Sequence, residues 1–124
     1  MKLSNERLIN SVGVLSKLNN SELAVKTSYK LSKNIKTLDK EIVLFNEEKQ
    51  KLINKYAVKN EKGENKIENG IVEIADTENF NKECRELLDI EVDVKIEKIN
   101  IDELAKSNLT ITPGELSLID YLIK

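Results

Sequence analysis

The sequence predicts a helix-dominated α+β fold: a long coiled-coil-like helix in an N-terminal helical hairpin, followed by a small β-sheet with packed helices. Two observations lead to this prediction. Apolar residues repeat in heptads over residues 24–56, and apolar and charged residues alternate strictly over residues 90–97. We expect one domain over residues 1–124, with the helical hairpin in residues 1–58 and the small α+β half in residues 59–124.

The amino-acid composition limits which classes of protein and which kinds of catalytic or metal-binding site this chain can form. No apolar run approaches the roughly 20 residues of a membrane span, and the N-terminus lacks the apolar core of a signal peptide. The single cysteine, Cys84, cannot form an internal disulfide, so we expect a cytoplasmic protein. The chain contains no histidine, which excludes Ser–His and Cys–His pairs and histidine metal ligands. We therefore expect a protein that is not an enzyme and that binds no cofactor and no metal.

Charge is distributed unevenly along the chain. Residues 1–60 carry 12 Lys and Arg against 6 Asp and Glu, whereas residues 61–103 carry 6 against 14. Segments of opposite charge can neutralise each other by packing together, within one chain or between two copies arranged head to tail. The simpler interpretation is two solvated faces of opposite sign.

The long helix is predicted to cover most of Glu22–Tyr56, a stretch without Gly or Pro. Such a helix is about 50 Å long, so its apolar face must pack against a partner helix. The residues that form this face, which we call the seam, follow each other in steps of four and three: Ala24, Ser28, Leu31, Ile35, Leu38, Ile42, Phe45, Lys49, Leu52 and Tyr56.

A shorter helix is predicted before the long one. Ser4 or Asn5 can cap it, it runs to about Leu18, and Gly13 in its middle is placed for close packing against another backbone. Ser21 is expected to cap the long helix that follows. A short break between helices usually produces an antiparallel pair.

The first helix covers only part of the seam, and the uncovered part predicts a homo-oligomer. The C-terminal helix is the alternative cover. Lys49 either sets the register of the helix pairing or lies where the seam reaches solvent. The expected interface residues are Leu31, Ile35, Leu38, Ile42 and Phe45.

Lysines on the opposite face of the long helix form what we call the lysine stripe: Lys26, Lys30, Lys33, Lys36 and Lys40. Tyr29 and Asn34 lie along its flanks. A row of like charges with an aromatic and an amide beside it can bind an anion, although lysines on a helix often serve only solubility. The candidate ligand-binding residues are Lys26, Tyr29, Lys30, Lys33, Asn34 and Lys36.

The second half of the chain contains two strand signals. Asn69-Gly70 predicts a hairpin turn, and the strand after it is Ile71–Ile74. The alternating stretch predicts a half-buried strand over Ile90–Ile96, and the two strands are expected to form one small sheet. Carboxylates at one face of the second strand could instead hold a divalent cation, which is the basis of a distant metal-dependent nuclease alternative: Asp89, Glu91 and Asp93.

Three helices are predicted around these strands. One is capped by Asp76 or Thr77 and runs to about Leu88, with Phe80, Cys84, Leu87 and Leu88 facing inward and Cys84 as a core thiol. A short helix begins at Asn100 or Asp102 and runs to Lys106. The last helix begins with a capping box, Thr112-Pro113-Gly114-Glu115, and its apolar side carries Leu116, Ile119 and Leu122 or Ile123.

Several stretches together resemble a group of small uncharacterised proteins encoded by bacteriophages and prophages of Gram-positive bacteria. They are residues 25–35, 47–53, 55–56, 60–63, 86–92 and 112–116. The resemblance implies a phage gene that acts in the host cytoplasm or in virion assembly. It supplies no activity and no site residues.

These observations favour a host-defence inhibitor that sequesters an anionic, nucleotide-like immune signal as a molecular sponge, or that binds a host protein. The lysine stripe and the expected oligomer favour the sponge. The alternative is a virion assembly chaperone or minor structural protein. A nucleic acid and a membrane are not expected partners.

Overall fold

In the computed structural model, which describes all 124 residues, the long helix α3 spans Val25–Tyr56. It measures about 50 Å at the usual rise per residue. Helices account for 59% of the residues and two small antiparallel sheets complete the structure, which confirms the helix-dominated α+β class. None of the helices combines the length and the apolar character that crossing a membrane requires.

The start of α3 differs from the prediction. Ser21 does not cap the helix, because its hydroxyl donates to the carbonyl of Lys17 at 2.7 Å. Ala24 occupies the N-cap position without a side-chain hydrogen bond. The helix therefore begins after a short extended connection rather than directly at Glu22.

The predicted first helix is broken in two: α1 spans Asn5–Asn10 and α2 spans Val12–Asn19. Ser4 caps α1 as predicted, its hydroxyl accepting from the backbone N–H of Arg7 at 3.2 Å. The break falls at buried Ser11, whose hydroxyl donates to the carbonyl of Leu8 at 2.7 Å and lies 2.8 Å from the Tyr121 hydroxyl. Close packing at Gly13 was a wrong prediction, because no atom of another element lies within 4 Å of the position that its Cβ would occupy.

The seam is covered by the chain itself. Leu31, Leu38 and Phe45 are buried, and Ile35 and Ile42 are partly buried against the same core. The core residues that surround Leu31 and Leu38 come from both halves of the chain and include Leu3, Leu8, Leu15, Leu18, Val94, Ile99, Leu104, Ile119 and Leu122. The expected interface residues are thus covered, wholly or in part, by residues of the same chain. Lys49 is exposed, so the seam reaches solvent there.

The prediction of a single small sheet was wrong. Strands β2 (Ile67–Glu68) and β3 (Ile71–Val72) form a hairpin, whereas β4 (Glu91–Asp93) pairs with β1 (Lys2–Ser4) in a separate antiparallel sheet. In the second sheet Leu3 lies opposite Val92. Both strands are shorter than predicted, since β3 ends at Val72 and β4 covers only Glu91–Asp93.

The hairpin turn is the one that Asn69-Gly70 predicts. Both residues have positive φ, 52° and 78°, as a tight two-residue turn between antiparallel strands requires. Beyond β3 the chain continues to Ile74, which forms an isolated antiparallel bridge with Ala57 just after α3. The hairpin is therefore attached to the C-terminal end of the long helix.

The remaining helices begin at the predicted caps. Asp76 caps α4 (Thr77–Asp89), and Asn100 caps α5 (Ile101–Ala105). Thr112 and Glu115 form the capping box of α6 (Pro113–Leu118). The last helix is shorter than expected and is followed by a 3-10 turn over Asp120–Leu122.

Candidate anion-binding cleft

The lysine stripe lies on the face of α3 that points away from the core. Lys30 is half-buried, whereas the other four lysines are exposed. Tyr29 exposes 68% of its surface at the N-terminal end of the same face. The Nζ atom of Lys33 lies 5.7 Å from the centroid of the Tyr29 ring, a cation–π arrangement that orients the Lys33 side chain.

Lys30 is already neutralised in part within the chain. Its Nζ lies 3.9 Å from Oε1 of Glu103 on α5. The other carboxylate oxygen of Glu103 accepts a hydrogen bond from the Thr27 hydroxyl at 3.2 Å. Lys30 therefore ties α3 to α5 and is less available to a ligand than its neighbours in the stripe.

Asn34, which the sequence suggested as a ligand-binding residue, has a structural role. Its side chain is buried, its Nδ2 donates to the carbonyl of Glu97 at 2.8 Å, and its Oδ1 accepts from the N–H of Glu97 at 3.0 Å. These two bonds hold the chain after β4 against α3. Asn34 thus positions the site, and its amide has little capacity left for a ligand.

A cleft of about 450 Å³ opens where this segment meets α3. Helix α3 contributes Lys33, Asn34 and Thr37, and the segment after β4 contributes Lys95, Ile96 and Glu97. Neither Lys33 nor Lys95 has a carboxylate oxygen within ion-pair distance, so both ammonium groups are free. We call this the Lys33–Lys95 cleft.

Among the predicted ligand-binding residues, the cleft brings together Lys33 and Asn34, with Tyr29 in contact with Lys33. Lys26 and Lys36 lie outside its lining. Lys95 was missed by sequence reasoning, because in an alternating segment it is one of several outward charges. A signal did exist for Asn34: it is three residues after Leu31 and four before Leu38, which places it on the seam face of the helix.

Two of the three acidic residues around β4, Asp89 and Asp93, take part in ion pairs. Asp89 lies 2.7 Å from the Arg85 guanidinium, and Asp93 lies 3.1 Å from the amino group of Met1. No group of three or more His, Cys, Asp or Glu side chains is arranged to hold a metal ion. These carboxylates therefore give no structural support to the metal-dependent nuclease alternative.

The fold and the cleft define a helix-dominated α+β protein with a lysine-lined cleft beside the N-terminal half of its long helix. Comparison with protein-family models, curated proteins and solved structures found no match to the chain.

Proposed function

We propose that this chain is a non-enzymatic, phage-encoded binding protein of the host cytoplasm that sequesters an anionic, nucleotide-like immune signal. The anion binds in the Lys33–Lys95 cleft. The observation that carries the proposal is the convergence of two unpaired lysines, from separate parts of the chain, on one cleft. The phage origin and the action in the host cytoplasm rest on the sequence resemblance, whereas the role of a sponge in host defence rests on the lysine stripe and the expected oligomer.

The size and shape of the cleft support a small ligand. Its volume of about 450 Å³ lies in the range of about 300–1,000 Å³ that is common for small-molecule sites. Walls from two segments partly exclude water, which makes the attraction of a lysine for a phosphate stronger than on an open helix face. The remaining exposed lysines of the stripe add a longer-range attraction that salt screens.

Glu97 sets the charge balance of the cleft. Glu97 also belongs to the lining, so the charged residues of the cleft are two lysines and one glutamate. A nucleotide offers both kinds of partner, since its phosphates pair with ammonium groups and its sugar hydroxyls can donate to a carboxylate. A mixed-charge cleft therefore suits a nucleotide better than a bare inorganic anion.

Isothermal titration calorimetry with linear and cyclic nucleotides, at low salt, tests the proposal. We expect Lys33→Glu and Lys95→Glu each to weaken binding by about tenfold or more, because each removes a charge-assisted contact. Lys26→Glu is the matched control. It makes the same change in charge on the same exposed face of α3, outside the cleft, and should weaken binding by no more than about threefold.

Two results would overturn the proposal. One is that no nucleotide binds to the unmodified protein at low salt. The other is an equal loss for Lys26→Glu and Lys33→Glu, which would mean that the stripe attracts anions only through its overall charge. Circular dichroism of each variant establishes that the fold is unchanged.

A further inference from the structure

A second surface lies along the C-terminal half of α3, where α4 packs beside it. Two clefts of about 320 and 200 Å³ run between these helices. They share Glu48, Leu87 and Ile90 in their linings and so form one continuous depression. We call it the α3–α4 groove.

The groove exposes apolar surface that the core does not use. Leu44 exposes 50% of its surface and Ile90 also exposes 50%. Side chains of this kind, grouped in a depression, are what a partner protein covers on binding. The apolar lining consists of Leu44, Phe45, Leu52, Leu87, Ile90 and Val92.

Four glutamates, two on each helix, share the lining with these apolar residues, and no Lys or Arg belongs to it. Glu48 and Glu83 have ion-pair partners outside the groove, Lys51 at 2.8 Å and Lys55 at 3.1 Å. A hydrogen bond from the Tyr56 hydroxyl lowers the pKa of Glu83, and the bond from Lys55 acts in the same direction. The acidic residues of the groove are Glu41, Glu48, Glu83 and Glu86.

Glu41 and Glu86 have no ion-pair partner within the chain. The groove thus has an apolar lining and a rim that carries unneutralised negative charge. Both features are complementary to a segment with an apolar stripe between basic residues.

We propose that the α3–α4 groove binds a basic amphipathic helix of another protein. A helix with apolar residues at positions i, i+3, i+4 and i+7 would place them on the lining formed by Leu44, Leu87 and Ile90. Its flanking Lys and Arg side chains would then meet the acidic rim on both sides. Helices that lie in a groove between two other helices use this mode of recognition.

A second copy of this chain is a poorer occupant. Its basic helix is α3, but the apolar seam of α3 is buried in its own core. The face that carries the lysine stripe offers few apolar side chains to the groove. The charge complementarity therefore points to a partner whose basic and apolar faces are adjacent and exposed.

Fluorescence anisotropy with a labelled model peptide tests this inference. The probe is a peptide of about 14 residues with Leu at i, i+3, i+4 and i+7 and Lys elsewhere, long enough to become helical on binding. A control peptide of the same composition, with its four Leu at i, i+2, i+4 and i+6, places them on opposite sides of a helix and so has no single apolar face. We expect the first peptide to bind more tightly than the second by about tenfold or more.

Matched variants locate the binding surface. We expect Leu44→Ser and the double variant Glu48→Lys/Glu86→Lys each to weaken binding of the amphipathic peptide by about tenfold.

Each variant has a matched control. Val43→Ser changes a neighbouring residue that exposes 48% of its surface but lies outside the groove. Glu47→Lys/Glu78→Lys changes the net charge by the same amount at exposed positions of the same two helices. Both controls should alter affinity by less than about twofold.

Equal binding of the two peptides, or equal losses in groove and control variants, would overturn the inference in favour of general charge attraction. Light scattering that shows a dimer of the unmodified chain, converted to a monomer by Leu44→Ser, would identify a second copy as the occupant and also overturn it. Leu44 is half exposed, so Leu44→Ser remains a valid test if the charge-reversed variant fails to fold. None of these residues lines the Lys33–Lys95 cleft, so failure here does not bear on nucleotide binding.

Discussion

Asn34 occupies a position on α3 that its neighbours on the same face fill with Leu and Ile. Its side-chain amide bonds to the backbone of Glu97 as a neighbouring strand would, donating to the carbonyl and accepting from the N–H. A buried polar side chain of this kind is stable only when its hydrogen bonds are made, and here both are. Asn34 thereby helps to hold the segment that carries Lys95 against the helix that carries Lys33.

At the scale of the single residue, we predict that Asn34→Ala lowers the free energy of unfolding by about 1–3 kcal/mol. The reason is that the backbone N–H and C=O of Glu97 both lose their hydrogen-bond partner. Urea unfolding followed by circular dichroism measures the change. Asn46→Ala, at an exposed position of the same helix, should stay within about 0.5 kcal/mol of the unmodified protein. Equal stability of the Asn34 variant and the unmodified chain would show that these bonds do not hold the segment.

The start of α6 shows how a local sequence signal becomes a tertiary contact. The Thr112 hydroxyl accepts from the N–H of Glu115 at 3.1 Å, and Glu115 accepts in return from the N–H of Thr112 at 3.0 Å. Lys17 of α2 lies 3.1 Å from the same carboxylate. The hydrogen bond from the Thr112 backbone lowers the pKa of Glu115, and the hydrogen bond from Lys17 lowers it further.

We expect Thr112→Ala to lower the free energy of unfolding by about 1 kcal/mol, the usual effect of removing an N-cap side chain. Thr110→Ala is the control, since it removes the same side chain two residues earlier, outside the helix. Urea unfolding at neutral pH compares the two variants. Equal effects would mean that the capping box does not stabilise α6.

The pH dependence of the same element follows from the lowered pKa of Glu115. A carboxyl whose pKa is lower in the folded state stabilises the fold above its unfolded pKa, and this contribution is lost as the pH falls through the folded value. We therefore expect Glu115→Gln to be less stable than the unmodified protein at neutral pH. The difference should shrink steadily in acid, below the ordinary glutamate pKa. A difference that stays constant with pH would contradict the assignment.

On the scale of the whole molecule, the two ends of the chain meet around the middle of α3. Leu3 and Leu8 pack in the same core as Ile119 and Leu122, and Leu38 lies among them fully buried. A backbone hydrogen bond of 2.8 Å, from the N–H of Ile99 to the carbonyl of Leu122, also holds the C-terminal segment to the chain that follows β4. The seam therefore serves folding within one chain.

We expect Leu38→Glu to unfold the protein, since an unpaired charge at a fully buried position costs more than about 4 kcal/mol. Lys40→Glu, at an exposed position of the same helix, should leave the fold intact. Circular dichroism and light scattering distinguish unfolding from dissociation. A folded Leu38→Glu monomer obtained from an oligomeric parent would show that the seam is an interface after all.

The sequence by itself determined the features that depend on neighbouring residues. The heptad spacing and the absence of Gly and Pro specify α3, because helix periodicity is a local property. Thr112 with Glu115 specifies the start of α6, and Asn69-Gly70 specifies the hairpin turn, because each acts within a few residues of backbone.

Only the tertiary structure decided which surfaces meet. The sheet prediction failed because Lys2–Ser4, far away in sequence, pairs with Glu91–Asp93. The Lys33–Lys95 cleft was not foreseen for the same reason: an alternating segment shows which residues face outward but not which helix lies beside them. The lysine stripe and the acidic half of the chain were visible in the sequence. Several arrangements of the acidic half against the long helix would nevertheless agree with the same distribution of charge. The choice among them depends on how the whole core packs, which local periodicity does not encode.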